Sequence, residues 1–402
     1  MCRATRVSWI LGDDKRRHLA LIGGRWPSGG IPRDSWPVLG EMAAAHRLEP
    51  LLAWRLQRQR WPVPAEISKA WRDARRRAGL VALAQNAALR LALERLDAAA
   101  IPVVALKGVA LAWRHYPEPA LRPMRDIDLL VPKPRAREAF ALLERAGFVP
   151  TVTDEASFDA AFEHGHDLPA QRHGELGVTI ELHHRLTDPP YRRGYHMPQL
   201  SAQDMLDRAS YVDCGGLAVP CPSPQDLAAH LIVHAVYGHR FDCGPLVLAD
   251  LHFLAAAPGV DWAKLRTEAE EQGWLRAFDL LLALTERWFG RVPTAFESPP
   301  DPVLCATEEA LLPDPVGRDQ TLAAADLAAA RSPSALGRAL RRRLTPDPHV
   351  VANEGGGRSQ LIFWPLWATR RLARLIRSLA DRRAVGEARA TARVMRWVQD
   401  EG

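Results

Sequence analysis

Apolar positions recur at helical spacing between residues 38 and 99. "VLGEMAAAHRLEPLLAWRLQRQ" and "AWRDARRRAGLVALAQNAALRLALERLDAAA" are rich in Ala, Leu and Arg, and a turn carrying Pro62 and Pro64 separates them. At residue 101 the pattern changes. "IPVVAL" is a short β-branched run ending in Lys107-Gly108, and "VALAWRHY" after it is a short helical stretch closed by Pro117 and Pro119. "DIDLLV" (126–131) predicts a second strand, "KPRAREAFALLERAGF" a helix and "FVPTV" a candidate third strand. In "GVTIELHHRL" (177–186) alternation predicts Val178, Ile180 and Leu182 on one face and Thr179, Glu181 and His183 on the other. From residue 201 the helical pattern returns in "SPQDLAAHLIVHAVYGHR", "PLVLADLHFLAAA" and the single long stretch "DWAKLRTEAEEQGWLRAFDLLLALTERWFG".

Strand and helix therefore alternate only in the middle. The expected organisation is an N-terminal helical region at 1–99, an α/β unit at 100–200, a second helical region at 201–345 and a basic helical tail at 346–402. The expected fold class is α+β or α/β with a mixed sheet. At 402 residues, with 47% hydrophobic and 25% charged residues, the chain has the composition of a folded globular protein of more than one sub-domain. Five cysteines without a CxxC pair argue against a disulfide framework or a zinc ribbon and point to a reducing cytoplasm. Charges interrupt the N-terminal segment, and no apolar run reaches about 18 residues, so neither a signal peptide nor a membrane span is expected.

The chemistry gathers at "RPMRDIDLLV". In an extended strand Asp126 and Asp128 share a face with Cα atoms about 6–7 Å apart. Two carboxylates that close repel unless something positive lies between them. Mg²⁺, with Mn²⁺ as the alternative, is the usual partner of such a pair in a wet cleft, together with substrate phosphate oxygens. Glu181, on the polar face of its strand, is the best placed third carboxylate. Lys107 and Gly108 stand at a strand-to-helix junction suited to a phosphate, and Arg122 and Arg125 can add bidentate phosphate contacts. Taken alone, a D-x-D pair also caps turns or solvates a strand edge, and arginines before it also line ordinary loops.

The segment "VVALKGVALAWRHYPEPALRPMRDIDLLVPKPRAREAFALLERAGF" resembles the core of an uncharacterised bacterial nucleotidyltransferase family within the DNA polymerase β-type superfamily. The matching elements are Leu106-Lys107-Gly108, Arg122-Pro123, Asp126-Ile127-Asp128 and Glu181-Leu182-His183. The flanks "AHRLEPLLAWRL", "DLAAHLIVHA" and "LADLHFL" extend the likeness over roughly residues 40 to 255. The resemblance implies a nucleotidyltransferase core with a mixed sheet that binds an NTP and Mg²⁺ and moves a nucleoside monophosphate onto a small molecule, a peptide or a protein. Asp126 and Asp128 would hold the ions, and Glu181 would hold the catalytic ion or accept the acceptor's proton. Lys107-Gly108 stands where the superfamily usually has Gly-Ser. A non-catalytic nucleotide-binding member and a toxin–antitoxin component are the alternatives.

Weaker signals remain. His230 and His234 share a helical face at i and i+4 and read as a structural or substrate-lining pair rather than a metal site, and with His183 they form a candidate acceptor pocket that His239 and Asp250 can join. His164, His166 and Asp167 precede the Glu181 strand; a place near the cleft is one reading and a plain loop the favoured one. In "RRLARLIRSLADRR", Leu372, Leu375, Ile376 and Leu379 form a stripe among arginines, with Trp364 and Trp367 before it. Packing on the body is favoured there over contact with anionic lipid. No aromatic RNA-binding motif accompanies the net charge of +6, so nucleic acid is disfavoured as a partner.

Overall fold

Five short strands form the centre of the computed structural model, which describes residues 12–189, 196–313, 367–370 and 382–399 together with positions 325 and 337. They are β1 (Val104–Ala105), β2 (Asp126–Leu130), β3 (Phe148–Pro150), β4 (Gln171–His173) and β5 (Val178–His183), in the sheet order β1-β2-β5-β4-β3. β2 and β5 are parallel and every other neighbouring pair is antiparallel, so the sheet is mixed and the class is α+β. Parallel pairing requires a long crossover. Residues 131–177 supply it with α6 (Ala136–Arg145), β3, α7 (Glu155–His164) and β4. β4 completes the sheet and has no counterpart among the strands the sequence pattern predicts.

The strand alternation decides which face is dry. Ile127, Leu129, Val178, Ile180 and Leu182 are buried with Leu89, Leu93 and Leu96 of α4 (Ala65–Ala98) and with Phe140 and Leu143 of α6. The other face carries Asp126, Asp128, Glu181 and His183. Further along that face Leu130 joins Val104, Leu106, Leu186 and Met205 in a small separate apolar cluster.

Before the sheet come α1 (Gly12–Ile22), α2 (Trp36–Ala45), α3 (Glu49–Gln59) and α4. α2 and α3 are separate because Arg47 takes φ of 57° between them. After β1, α5 (Lys107–Ala110) runs into a π-helical turn at Leu111–His115. After the sheet come α8 (Ala202–Asp207), a hairpin of β6 (Ser210–Asp213) and β7 (Ala218–Cys221), α9 (Pro224–Val233), α10 (Leu246–Ala255), α11 (Trp262–Glu271), α12 (Leu275–Phe289), α13 (Asp301–Leu311) and α14 (Arg382–Gln399).

Two of these elements differ from the sequence pattern. The hairpin interrupts the helical region expected from residue 201, because Gly215 and Gly216 both take positive φ (65° and 81°), the backbone that a tight two-residue hairpin turn demands. The stretch 261–290 is two helices, with Gly273 at φ 73° between them. In the tail, α14 buries Val394, Met395 and Val398 in the main core, and Arg276 of α12 donates to the Trp397 carbonyl at 2.6 Å. Leu372, Leu375, Ile376, Leu379 and Trp364 lie outside the described residues, while Trp367 is buried. No helix among the described residues is long and apolar enough to cross a membrane.

Candidate active site

The parallel register of β2 and β5 sets Asp128 directly opposite Glu181. One ligating atom each from Asp128, Glu181 and His183 lie within 4.8 Å of one another. Asp126 precedes them on the same face, and all four side chains line a cavity of about 450 Å³. The buried neighbours Ile127, Leu129, Ile180 and Leu182 fix both strands from behind, so the carboxylates are held by the packing of the opposite face.

The electrostatics of this group are uneven. Burial opposes the charged form of Asp128, but the Lys107 ammonium at 3.6 Å and the N–H donated by His183 Nε2 at 2.9 Å more than offset it, and the carboxyl stays well below the usual range. Asp126 is pushed up by burial and by the Asp128 charge. Glu181 is pushed up to about 7 by burial and then by the charges of Asp126, Asp128 and Asp167. Among the described residues Lys107 is the only lysine or arginine within ion-pair distance of these carboxylates. A cluster of hard oxygen donors with excess negative charge fits a divalent cation such as Mg²⁺ or Mn²⁺. Asp128, Glu181 and His183 bring one ligating atom each close enough together for such an ion, and the Asp126 carboxylate lines the same cavity.

Opposite the acids lies a basic wall. Lys107 sits at the β1-to-α5 junction with φ of 24°, a region non-glycine residues rarely occupy. Its ammonium also donates to His234 Nε2 at 3.0 Å, which makes that nitrogen the acceptor and places the ring proton on Nδ1. His234 begins a second π-helical turn, His234–Gly238, closed by the His239 N–H on the His234 carbonyl at 2.8 Å. A Cβ at Gly108 would lie 2.5 Å from Met124 Sδ and 3.1 Å from Arg122 Nη1, so both side chains would have to move to admit one. Arg122 makes a bidentate pair with Asp250 of α10 at 2.8 and 2.9 Å, and the Tyr116 hydroxyl donates to the same carboxylate at 2.7 Å. The loop carrying Arg122 to Arg125 is tied to the N-terminal helices: Gln85 of α4 donates to the Met124 carbonyl at 3.1 Å, and Arg75 pairs with Glu118 at 2.6 Å.

The fold thus gathers Asp126, Asp128, Glu181, His183, Lys107, Gly108, Arg122, Arg125 and His234 around one cavity. His183 contacts Asp128 inside the acidic group. His230, fully buried and 5.5 Å from the His234 ring, lies behind that wall and does not line the cavity. Arg122 has two of its nitrogens committed to Asp250, whereas Arg125 is exposed at the mouth. His166 and Asp167 lie in the segment between α7 and β4 and line the cavity, and His166 Nδ1 is 2.7 Å from the buried Asp188. Arg47, Tyr116 and Asp188 carry no motif that sequence reasoning could have used. Arg47 and Asp188 line the cavity and Tyr116 reaches Asp250 at its edge, placed there by the turn after α2, the segment after β5 and the π-helical turn after α5.

Residues 32–290 match the model of an uncharacterised nucleotidyltransferase family. The chain belongs to that family. The match takes in every strand of the sheet, the acidic group, the basic wall and the helices α2 to α4 and α9 to α12 that enclose them. No curated protein matches the chain. Membership of this nucleotidyltransferase family supports a transferase activity in general and gives Asp128, Glu181 and His183 a natural reading as a metal-holding group.

Proposed function

We propose that the chain transfers a nucleoside monophosphate from an NTP to a hydroxyl of a small molecule, peptide or protein, on a polymerase β-type core, in a reducing cytoplasm. The observation that carries this is the register that pairs Asp128 with Glu181, with Asp126 on the same face and Lys107-Gly108 beside them. Asp126, Asp128 and Glu181 would hold Mg²⁺, which when bound neutralises phosphate oxygens and polarises the α-phosphorus. Lys107, Arg122 and Arg125 then face the phosphates, and Gly108 allows the backbone close. The acceptor oxygen forms a bond to the α-phosphorus as the bond from that phosphorus to the β-bridging oxygen breaks. Pyrophosphate leaves with the electron pair. Where Glu181 is not engaged by the ion, the acceptor's proton goes to its carboxylate, which burial and the neighbouring carboxylates make receptive to a proton.

Residues around the acids support this division of labour. His183 donates to Asp128 and fixes the direction of its oxygens, as partners of metal-binding carboxylates commonly do. Titrating the protein with Mn²⁺ and following its spin resonance tests the proposal. Asp126→Asn and Asp128→Asn should each weaken binding at least about tenfold, and Mn²⁺ binding unchanged in both variants would sink it.

A further inference from the structure

The cavity holds one cation that the account above does not use. Arg47 lines it from the turn between α2 and α3, where the backbone takes φ of 57°. Its Nε is fully buried without a hydrogen-bond partner. Its Nη1 makes a long hydrogen bond to the Pro123 carbonyl at 3.4 Å. No carboxylate among the described residues lies within ion-pair distance of it. Burial, and then the charges of Arg125 and Arg122, lower its proton affinity to a pKa of about 10.

A guanidinium half-buried among other cations, strained in its backbone and short of acceptors, is costly in the unliganded protein. Two neighbouring cations, which the proposed transfer also turns toward the phosphates, already have carboxylate partners in the unliganded protein. Lys107 is shared between Asp128 and His234, and Arg122 is held by Asp250. That leaves Arg47 and the exposed Arg125 facing the same space, where the more distant charges of Asp126 and Asp250 only partly offset burial and the repulsion among the arginines. The cavity is bipolar, with carboxylates on the sheet side and arginines on the loop side. Its complement is a ligand that carries a metal at one end and several negative charges at the other. A polyphosphate satisfies both ends, and two guanidinium forks match its paired oxygens better than a single carboxylate.

We propose that Arg47, reaching in from outside the sheet, is the residue that holds the pyrophosphate end of the bound nucleotide, with Arg125 as its partner at the mouth. This rests on the nucleotidyl-transfer reading and sharpens it, since it makes the N-terminal helices part of the substrate site.

The test is calorimetric titration of the full chain with inorganic pyrophosphate and Mg²⁺, comparing the native protein with Arg47→Gln and Arg47→Lys. Arg47→Gln should weaken pyrophosphate binding about tenfold or more, the loss expected for one charge-assisted contact. Arg47→Lys, which keeps the charge and loses the fork, should lose less. A purely structural arginine would lower the melting temperature of the unliganded protein when removed. Here Arg47→Gln should leave that temperature unchanged or raise it, and should shrink only the rise that pyrophosphate produces. Equal pyrophosphate affinity in native protein and Arg47→Gln would overturn the proposal, as would native protein that does not bind pyrophosphate. So would an effect of Arg47→Gln confined to an anionic acceptor. Nucleotidyl transfer itself is judged separately by Asp128→Asn, so loss of the Arg47 assignment leaves that reading standing.

Discussion

Neutralising Glu181 should stabilise this protein, and by an amount that depends on pH. In the folded chain the Glu181 carboxyl titrates near 7, against an ordinary 4.5, because it is buried beside Asp126, Asp128 and Asp167. Between those two values the folded chain keeps a proton that the unfolded chain has released. Stability therefore falls as pH rises through that window, and the penalty is complete above about 7. At about 1.36 kcal/mol per pH unit the gap sets a ceiling of about 3 kcal/mol. Glu181→Gln lacks the titration. It should match the native protein near pH 4.5 and exceed it at pH 8 by up to that ceiling, a rise of several degrees in melting temperature. Urea unfolding in EDTA at intervals from pH 4.5 to pH 8 measures the difference directly. A divalent cation should cancel the same penalty, so Mn²⁺ should raise the melting temperature of the native protein more at pH 8 than at pH 5. A difference between variant and native protein that does not change with pH would refute the reasoning, because desolvated negative charge would then not be what the site stores.

Other perturbations follow from the same geometry. Asp250→Ala removes the carboxylate that Arg122 and Tyr116 share, leaves a buried guanidinium unpaired, and should cost about 3–5 kcal/mol in urea unfolding. Gly108→Ala should leave the fold in place by far-ultraviolet circular dichroism. It would displace Met124 and Arg122 by their contacts with the new methyl group, and NTP affinity measured by calorimetry should drop about tenfold. His183→Ala takes away the donor to Asp128 and should weaken Mn²⁺ binding by about 10–100-fold, read by spin resonance.

Much of this site is legible in the sequence. The alternation of "GVTIELHHRL" puts Glu181 and His183 on the face opposite Val178, Ile180 and Leu182, and the i, i+2 spacing puts Asp126 and Asp128 on one face of β2. Local periodicity encodes such facing. The pairing of β2 with β5 is a different matter, because the register that opposes Asp128 and Glu181 spans a crossover of more than forty residues and leaves no local trace. β4 is three residues long, too short to show a period, and its place between β3 and β5 comes from hydrogen bonding alone. Arg47 is one arginine in a helical run rich in them, and only its left-handed turn turns it toward the cavity. Asp188 likewise gains meaning from His166, twenty-two residues away. The hairpin at Ser210–Cys221 did carry a signal, the Gly215-Gly216 pair between short alternating runs, as did the helix break at Gly273.

The central claim is that Asp126 and Asp128 serve the transfer of a nucleoside monophosphate. Incubating the purified chain with Mg²⁺, an extract of acceptors and each of the four NTPs, labelled at either the α- or the γ-phosphate, tests it most directly. The account predicts that label from the α-phosphate becomes attached to an acceptor, that γ-label appears only in pyrophosphate, and that Asp128→Asn abolishes both. Attachment of the γ-label, or attachment of α-label that persists in Asp128→Asn, would contradict it.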